Sequence, residues 1–176
     1  MKNILLLLIT SLALVSCGGS QKWAKGSVEH EKKFMRSVNL KQNGKNGEAR
    51  APLFAPKKVK RAVAAANQLL DKPYKYGGGH ARLNDSGYDC SGATSYVLRE
   101  AGLLQGHLTS NGFFNYGKKG KGDWITIYVR NGHVFLVIGG LRFDTGGTGG
   151  NGESGPRWKP QSRKVDGHAM RHPRGL

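Results

Sequence analysis

Residues 124–145 read WITIYVRNGHVFLVIGGLRFDT and carry the clearest structural signal in the chain. At the start of this stretch, Ile and Val alternate with other residues, which is the period-two pattern of a half-buried β-strand. Two dipeptides of the kind that close two-residue hairpins, Asn131-Gly132 and Gly139-Gly140, divide the stretch. It therefore predicts an antiparallel meander with strands over 124–129, 133–138 and 141–145.

Two-residue turns also determine which side chains of the meander share a face. They pair Ile138 with Leu141 and Phe135 with Asp144. On one face this register collects apolar side chains that predict the core: Ile125, Ile127, Val129, Val134, Leu136, Ile138, Leu141 and Phe143. The other face holds Trp124, Tyr128, His133, Phe135, Arg142 and Asp144. On that face His133 and Asp144 lie diagonally across neighbouring strands, with backbones roughly 7–8 Å apart, and a one-residue slip would separate them.

Two amphipathic helices are predicted ahead of the meander. The first covers about 57–71, because apolar residues recur there at helical spacing, and Pro73 ends it. Asp89 is a good N-cap for the second helix, over 90–101. Helices followed by an antiparallel sheet define an α+β domain, which we place over residues 57–176.

The composition limits the chain to one folded domain with accessory segments. It has 176 residues, with 28 Lys and Arg against 11 Asp and Glu, and a formal net charge of +17. Such a chain is too short for two large domains, and its positive charge favours anionic surroundings. Its two cysteines exclude a disulfide-stapled scaffold.

Residues 1–16 have the features of a lipoprotein signal peptide. Lys2 is followed by an apolar run of about a dozen residues, too short to span a bilayer. The run ends in Leu14-Val15-Ser16-Cys17-Gly18, which resembles a bacterial lipobox. We expect cleavage before Cys17, lipid attachment at Cys17 and a location in the bacterial cell envelope, on the outer side of a membrane. The alternative is an ordinary secretory signal that leaves Cys17 as a free thiol.

Residues 17–56 are polar and basic with little apolar periodicity, which predicts a linker between the lipid anchor and the domain. The basic residues of this linker have two explanations. They keep a tether solvated, or they attract the segment to anionic wall polymers or lipid headgroups. Neither a zinc-finger nor an RNP-like motif is present, so nucleic acid is not an expected partner.

The sequence predicts neither a metal nor a cofactor. His168 and His172 have i, i+4 spacing, but no partner ligands for zinc are evident. The glycine-rich segment 146–152 lacks the strand-loop-helix context of a phosphate-binding loop. We expect that segment to form a loop at the rim of the site.

Three residues of the domain form a plausible catalytic set. Cys90 falls in the first turn of the second helix, where the helix dipole favours a thiolate. His133 is placed to act as a base, and Asp144 to orient its ring. Taken singly, Cys90 is also explained as a small buried residue, His133 as the start of a hairpin strand and Asp144 as a polar strand end.

Several segments resemble the NlpC-type cell-wall cysteine peptidases. They are residues 65–78, which read AANQLLDKPYKYGG, residues 87–92, which read GYDCSG, and Gly132-His133-Val134. The resemblance extends over about 57–145 and implies a papain-like α+β core. It implies Cys90 as the nucleophile and His133 as the general base. Tyr74, Ser91 and the Cys90 backbone N–H are then expected at the oxyanion and substrate-binding region.

The chain departs from the family pattern at the third catalytic position, which is commonly His, Asn or Gln. Asp144 occupies it here, with Thr145 as the alternative if the preceding turn is not two residues long. Residues 109–116 do not map onto typical members, and we expect them to border the substrate groove.

The function that the resemblance implies is hydrolysis of amide bonds in peptidoglycan stem peptides, often between D-Glu and a diamino acid. We expect a monomer that needs no metal and whose partners are peptidoglycan and, through the lipid anchor, a membrane. The alternative is a catalytically inactive, peptidoglycan-binding lipoprotein of the same fold.

Overall fold

The protein is described from a computed structural model, which covers residues 39–40, 47–146, 155–159 and 165–176. The predicted signal peptide over 1–16 and the expected lipid-attachment site Cys17 lie outside these residues. Two helices and a six-stranded antiparallel sheet make up the domain, which confirms the α+β class.

Among the described residues, the helices are α1 (Lys57–Asn67), α2 (Cys90–Glu100) and a short 3₁₀ helix (Asn111–Asn115). The strands are β1 (Asn39–Leu40), β2 (Ala49–Arg50), β3 (Lys118–Lys119), β4 (Ile125–Arg130), β5 (His133–Ile138), β6 (Leu141–Asp144), β7 (Arg157–Lys159) and β8 (Ala169–His172). Strands β1 and β2 pair separately, and the six-stranded sheet has the order β3-β8-β4-β5-β6-β7. No described helix has both the length and the apolar character needed to cross a membrane.

The predicted meander forms the centre of the sheet. Val129 pairs with Val134 across the first turn, and Ile138 pairs with Leu141 across the second. Both turns therefore contain two residues, and Gly132 adopts the positive φ of 72° that such a tight turn favours. The predicted register is confirmed.

One face of the sheet packs against α1 and α2 and forms the core. All eight side chains predicted for the core face of the meander are buried there. Val59, Val63 and Val97 of the two helices are also buried in this core. The division of the sheet into a core face and a second face thus follows from the alternation seen in the sequence.

Helix α1 ends at Asn67, four residues before the predicted end. Leu69 and Leu70 are buried as predicted, but they lie in the turn that follows the helix. The N–H of Leu69 bonds the carbonyl of Ala66, and the N–H of Leu70 bonds that of Asn67, a tighter i→i+3 pattern.

The Asn67 side chain joins three distant parts of the chain. Its Oδ1 accepts hydrogen bonds from the Ala49 N–H at 3.0 Å and from Trp158 Nε1 at 2.7 Å, and its Nδ2 donates to the Ala49 carbonyl at 2.9 Å. Ala49 and Ala55 are buried in the core. Ala49 and Ala55 therefore belong to the packed domain, although residues 17–56 were expected to form a linker.

Candidate active site

Cys90 is the first residue of α2 and is half-buried. Asp89 caps this helix as predicted, because its Oδ1 accepts the Gly92 N–H at 2.6 Å. Its Oδ2 accepts the Gly77 N–H at 3.1 Å, so one carboxylate links the helix start to the preceding loop. The cap fixes the backbone that carries the thiol.

Close backbone contact explains the glycines around Cys90. A Cβ atom on Gly92 would lie 1.9 Å from the Gly78 carbonyl oxygen, and one on Gly78 would lie 2.3 Å from the Gly87 carbonyl oxygen. A Cβ on Gly79, whose φ is +82°, would lie 2.4 Å from the Tyr88 ring. Only glycine lets the 77–79 loop approach the helix start so closely.

His133 and Asp144 meet on the second face of the sheet, as the register predicts. His133 Nε2 lies 3.1 Å from Asp144 Oδ1, and the exposed fractions of the two side chains are 14% and 0%. Asp144 Oδ1 also accepts the Gly146 N–H at 2.9 Å. Arg142 Nε lies 3.9 Å from Asp144 Oδ2 on the same strand, so positive charge adjoins the carboxylate on two sides.

The environment of His133 raises its pKa from 6.5 to about 9. Burial, the largest influence, lowers the pKa, but hydrogen bonds with Asp144 and Cys90 and the negative charges of both groups together outweigh it. Cys90 is therefore near enough to His133 to raise the pKa of the imidazole, while Asp144 Oδ1 lies 3.1 Å from its Nε2. The imidazolium is thus stabilised by both neighbours.

Tyr74 lies close to Cys90 and Asp89, and 42% of its surface is exposed. Its pKa is raised by burial and, to a lesser degree, by the negative charges of Cys90, Asp89 and Tyr76. The phenol therefore keeps its proton and remains a hydrogen-bond donor near Cys90.

Ser91 occupies a different position from the one expected of a substrate-binding side chain. It is buried, and its hydroxyl donates to Asp89 Oδ1 at 3.0 Å. His80 Nε2 lies 3.1 Å from both Asp89 Oδ1 and Ser91 Oγ. The Ser91 side chain thus supports the helix start instead of facing a substrate, because Asp89 and His80 occupy its hydrogen-bonding groups.

His80 is the functional candidate that the sequence analysis missed. It belongs to the glycine-rich loop before α2, and its ring meets His107 edge-on with centroids 5.2 Å apart. In the sequence, the only sign of it is a histidine within a glycine-rich loop. In the structure, the glycines of that loop bring this histidine close to Asp89.

The remaining candidates include one near His133, because the His168 ring lies 5.5 Å from that of Phe135, which lies 6.1 Å from that of His133. Thr145 is buried at the end of β6, and its hydroxyl has no hydrogen-bond partner among the described residues. Phe113 of the 3₁₀ helix is fully buried, so this part of the 109–116 segment contributes to the core. His168 precedes β8 and His172 ends it.

Over the described ranges, no group of three or more His, Cys, Asp or Glu side chains is arranged to hold a metal ion. The predicted glycine-rich rim loop over 146–152 is described only at Gly146. The site thus offers a thiol, an imidazole whose pKa the thiol affects, and a buried carboxylate 3.1 Å from the imidazole. A nucleophile, a base and a polar group that orients the base are the groups that amide hydrolysis through a thioester uses.

No protein-family model matches the chain, and no curated protein is significantly similar to it.

Proposed function

We propose that the protein is an NlpC-type cysteine peptidase that hydrolyses amide bonds in peptidoglycan stem peptides, on a papain-like form of the α+β fold. The observation that carries this proposal is the position of His133, whose Nε2 lies 3.1 Å from the buried Asp144 and whose pKa is raised by both Asp144 and Cys90. The motif resemblance around Cys90 and His133 supports the substrate class.

The catalytic cycle begins with proton transfer from Cys90 to His133. Asp144 stabilises the imidazolium that forms, in keeping with the raised pKa of His133. The thiolate attacks the amide carbonyl, and His133 then gives its proton to the leaving amine as the C–N bond breaks. A thioester between Cys90 and the acyl fragment remains.

Water completes the cycle. His133, now neutral, takes a proton from the water that attacks the thioester, and the products are a carboxylic acid and the regenerated thiol. The overall reaction adds one water molecule across the amide bond.

The oxyanion of the tetrahedral intermediates needs hydrogen-bond donors. Among the residues that the structure describes, none accepts a hydrogen bond from the Cys90 backbone N–H, which points out of the first turn of α2. The phenol of Tyr74 is a second donor near the thiol. Together they form the proposed oxyanion site.

The envelope location and the positive charge fit this substrate. A lipid anchor at Cys17 would hold the domain next to the cell wall, and a formal charge of +17 favours contact with an anionic wall. The protein would act there as a monomer without a metal or cofactor.

Mass spectrometry of purified peptidoglycan tests this proposal. The wall is incubated with the full chain in detergent, and in parallel with the Cys90→Ala variant. New peptide fragments from the unaltered chain alone would support the proposal and identify the bond. Sedimentation of both proteins with an uncut wall would favour the inactive wall-binding lipoprotein. If neither protein cuts or binds the wall, the proposed substrate is wrong.

A further inference from the structure

The turn over residues 52–55 presents two large apolar side chains to solvent. Leu53 is 94% exposed and Phe54 is 70% exposed. They are adjacent, so they form one apolar tip on the surface of the domain. Adjacent exposed side chains of this size are a common feature of surfaces that bind other apolar matter.

This tip is attached firmly to the domain. The Ala55 N–H closes the turn by donating to the Pro52 carbonyl at 3.0 Å, and Ala55 itself is buried in the core. Lys60 Nζ donates to the carbonyl of Leu53, which satisfies a backbone acceptor at the most exposed point. The backbone of the tip is thus attached to the domain next to α1.

Basic residues flank the tip in the sequence, and one of them, Lys60, contacts it. Residues 50–61 contain five Lys and Arg residues and no acidic residue. Four of these cations are exposed and form no ion pair with any described residue: Arg50, Lys57, Lys58 and Arg61. The first turn of α1 has no acidic residue, so the charges at its start oppose the helix dipole and are not explained by helix stability.

We propose that this tip and its cations bind the surface of an anionic phospholipid bilayer. Leu53 and Phe54 enter the boundary between headgroups and acyl chains, and the four cations contact lipid phosphates. An apolar group surrounded by Lys and Arg is the combination that holds peripheral proteins at such a surface. The proposal stands on the surface alone and does not depend on the catalytic chemistry.

Other partners match these features less well. An anionic wall polymer accounts for the cations but gives the two apolar side chains nothing to bind. A second copy of the chain would bring two sets of the same cations together, which like-charge repulsion opposes. A lipid surface accommodates both the apolar tip and its charges.

The position of the tip determines how the domain would face the membrane. The rings of Phe54 and Trp124 have centroids 6.0 Å apart, and Trp124 precedes β4. His133 pairs with Arg130 at the opposite end of the β4–β5 hairpin, roughly 20 Å from Trp124 along the strand. Binding through the tip would therefore turn the end of the sheet that carries His133 away from the bilayer.

Photo-crosslinking tests the proposal on the full chain. The chain is incorporated into vesicles of phosphatidylglycerol and phosphatidylcholine that contain a lipid with a diazirine in its acyl chain. After irradiation, trypsin cleaves at Arg50 and Lys57 and releases the tip as the peptide 51–57. The peptide 76–82 is the matched control, because it carries Tyr76, which is 91% exposed.

We expect lipid adducts on 51–57 to exceed those on 76–82 by about tenfold. The double variant Leu53→Ser and Phe54→Ser should lose this excess, and Lys58→Gln and Arg61→Gln should each lower it by about fivefold. Equal labelling of the two peptides, or equal labelling of 51–57 in vesicles of phosphatidylcholine alone, would overturn the proposal. The proposal would also be overturned if the peptide 51–57 carried no lipid adducts and the double variant changed its oligomeric state. That result would show that the tip binds a second copy of the chain.

Discussion

Asp144 Oδ1 lies 3.1 Å from His133 Nε2, and no part of the Asp144 side chain is exposed. The same oxygen accepts a hydrogen bond from the Gly146 N–H, so the carboxylate is held from two directions. A buried carboxylate held in this way fixes the orientation of the imidazole that it contacts. Changes at Asp144 should therefore be measurable at His133 and at Cys90.

The first prediction concerns the protonation of His133. Its imidazole should titrate with a pKa of about 9, as followed by NMR of the labelled ring. Asp144→Asn should move the titration towards the ordinary value of 6.5, and Cys90→Ala should do so to a smaller extent, because the hydrogen bond to Asp144 has the larger effect. A titration near 6.5 in the unaltered protein would contradict this prediction.

The same pKa shift predicts how stability depends on pH. Because the folded state raises the pKa of His133 from 6.5 to about 9, the folded state binds the proton more tightly than the unfolded state does. This contribution is complete below pH 6.5 and is lost as the pH rises through 9, and it amounts to about 3 kcal/mol at most. Urea unfolding across this pH range measures this contribution. As the pH rises, the free energy of unfolding of His133→Asn should decrease less than that of the unaltered protein.

The next prediction separates the role of Asp144 from a general loss of charge. Asp144→Asn should lower the rate of peptide release from the wall by at least about a hundredfold, because the ring loses its orienting carboxylate. Alkylation of Cys90 by iodoacetamide at pH 7 should slow as well. Asp123 is exposed and precedes β4, and Asp123→Asn should leave both rates within about twofold. Equal losses in the two variants would assign the effect to charge alone.

Two tyrosines of the same loop test the proposed oxyanion site. Tyr74→Phe should lower kcat by about a hundredfold with little change in KM, since the lost donor acts on the tetrahedral intermediate. Tyr76→Phe removes a hydroxyl from a side chain that is 91% exposed and should leave kcat within about twofold. A rise in KM without a fall in kcat for Tyr74→Phe would indicate a role in substrate binding instead.

The last prediction concerns the contact between the glycine-rich loop and α2. Gly92→Ala places a Cβ atom 1.9 Å from the Gly78 carbonyl oxygen, so it should lower the free energy of unfolding by about 3 kcal/mol. At Gly112 the nearest atoms would lie 3.4 Å from an added Cβ, an acceptable contact. Gly112→Ala should therefore change the free energy of unfolding by less than about 1 kcal/mol. The midpoint of urea denaturation measures both variants, and similar values for the two would contradict the proposed steric cause.

The sequence was most informative where a regular pattern coincides with a buried face. Alternation and two-residue turns determined the register of the meander, and the register placed His133 next to Asp144. Asp89 identified the start of α2, and so the position of Cys90, because a capping side chain has a specific local role. The alternation and the two-residue turns follow a fixed period, and the cap involves residues that are close together in the sequence.

The features that sequence reasoning missed depend on contacts without a period. Strands β3, β7 and β8 have two to four residues each, too few for an alternation to be recognised. The contact of Asn67 with Ala49 and Trp158 joins distant segments through a single side chain. His80 reaches Asp89 only because glycine allows the loop to approach the helix so closely.

The two edges of the six-stranded sheet are short and basic. Strand β3 consists of Lys118–Lys119, and strand β7 consists of Arg157–Lys159, with Trp158 between two cations. An exposed edge of a sheet can pair with the edge of another molecule, and short, positively charged edges prevent this. Short, basic edges of this kind would keep copies of the domain from polymerising by strand addition wherever their local concentration is high.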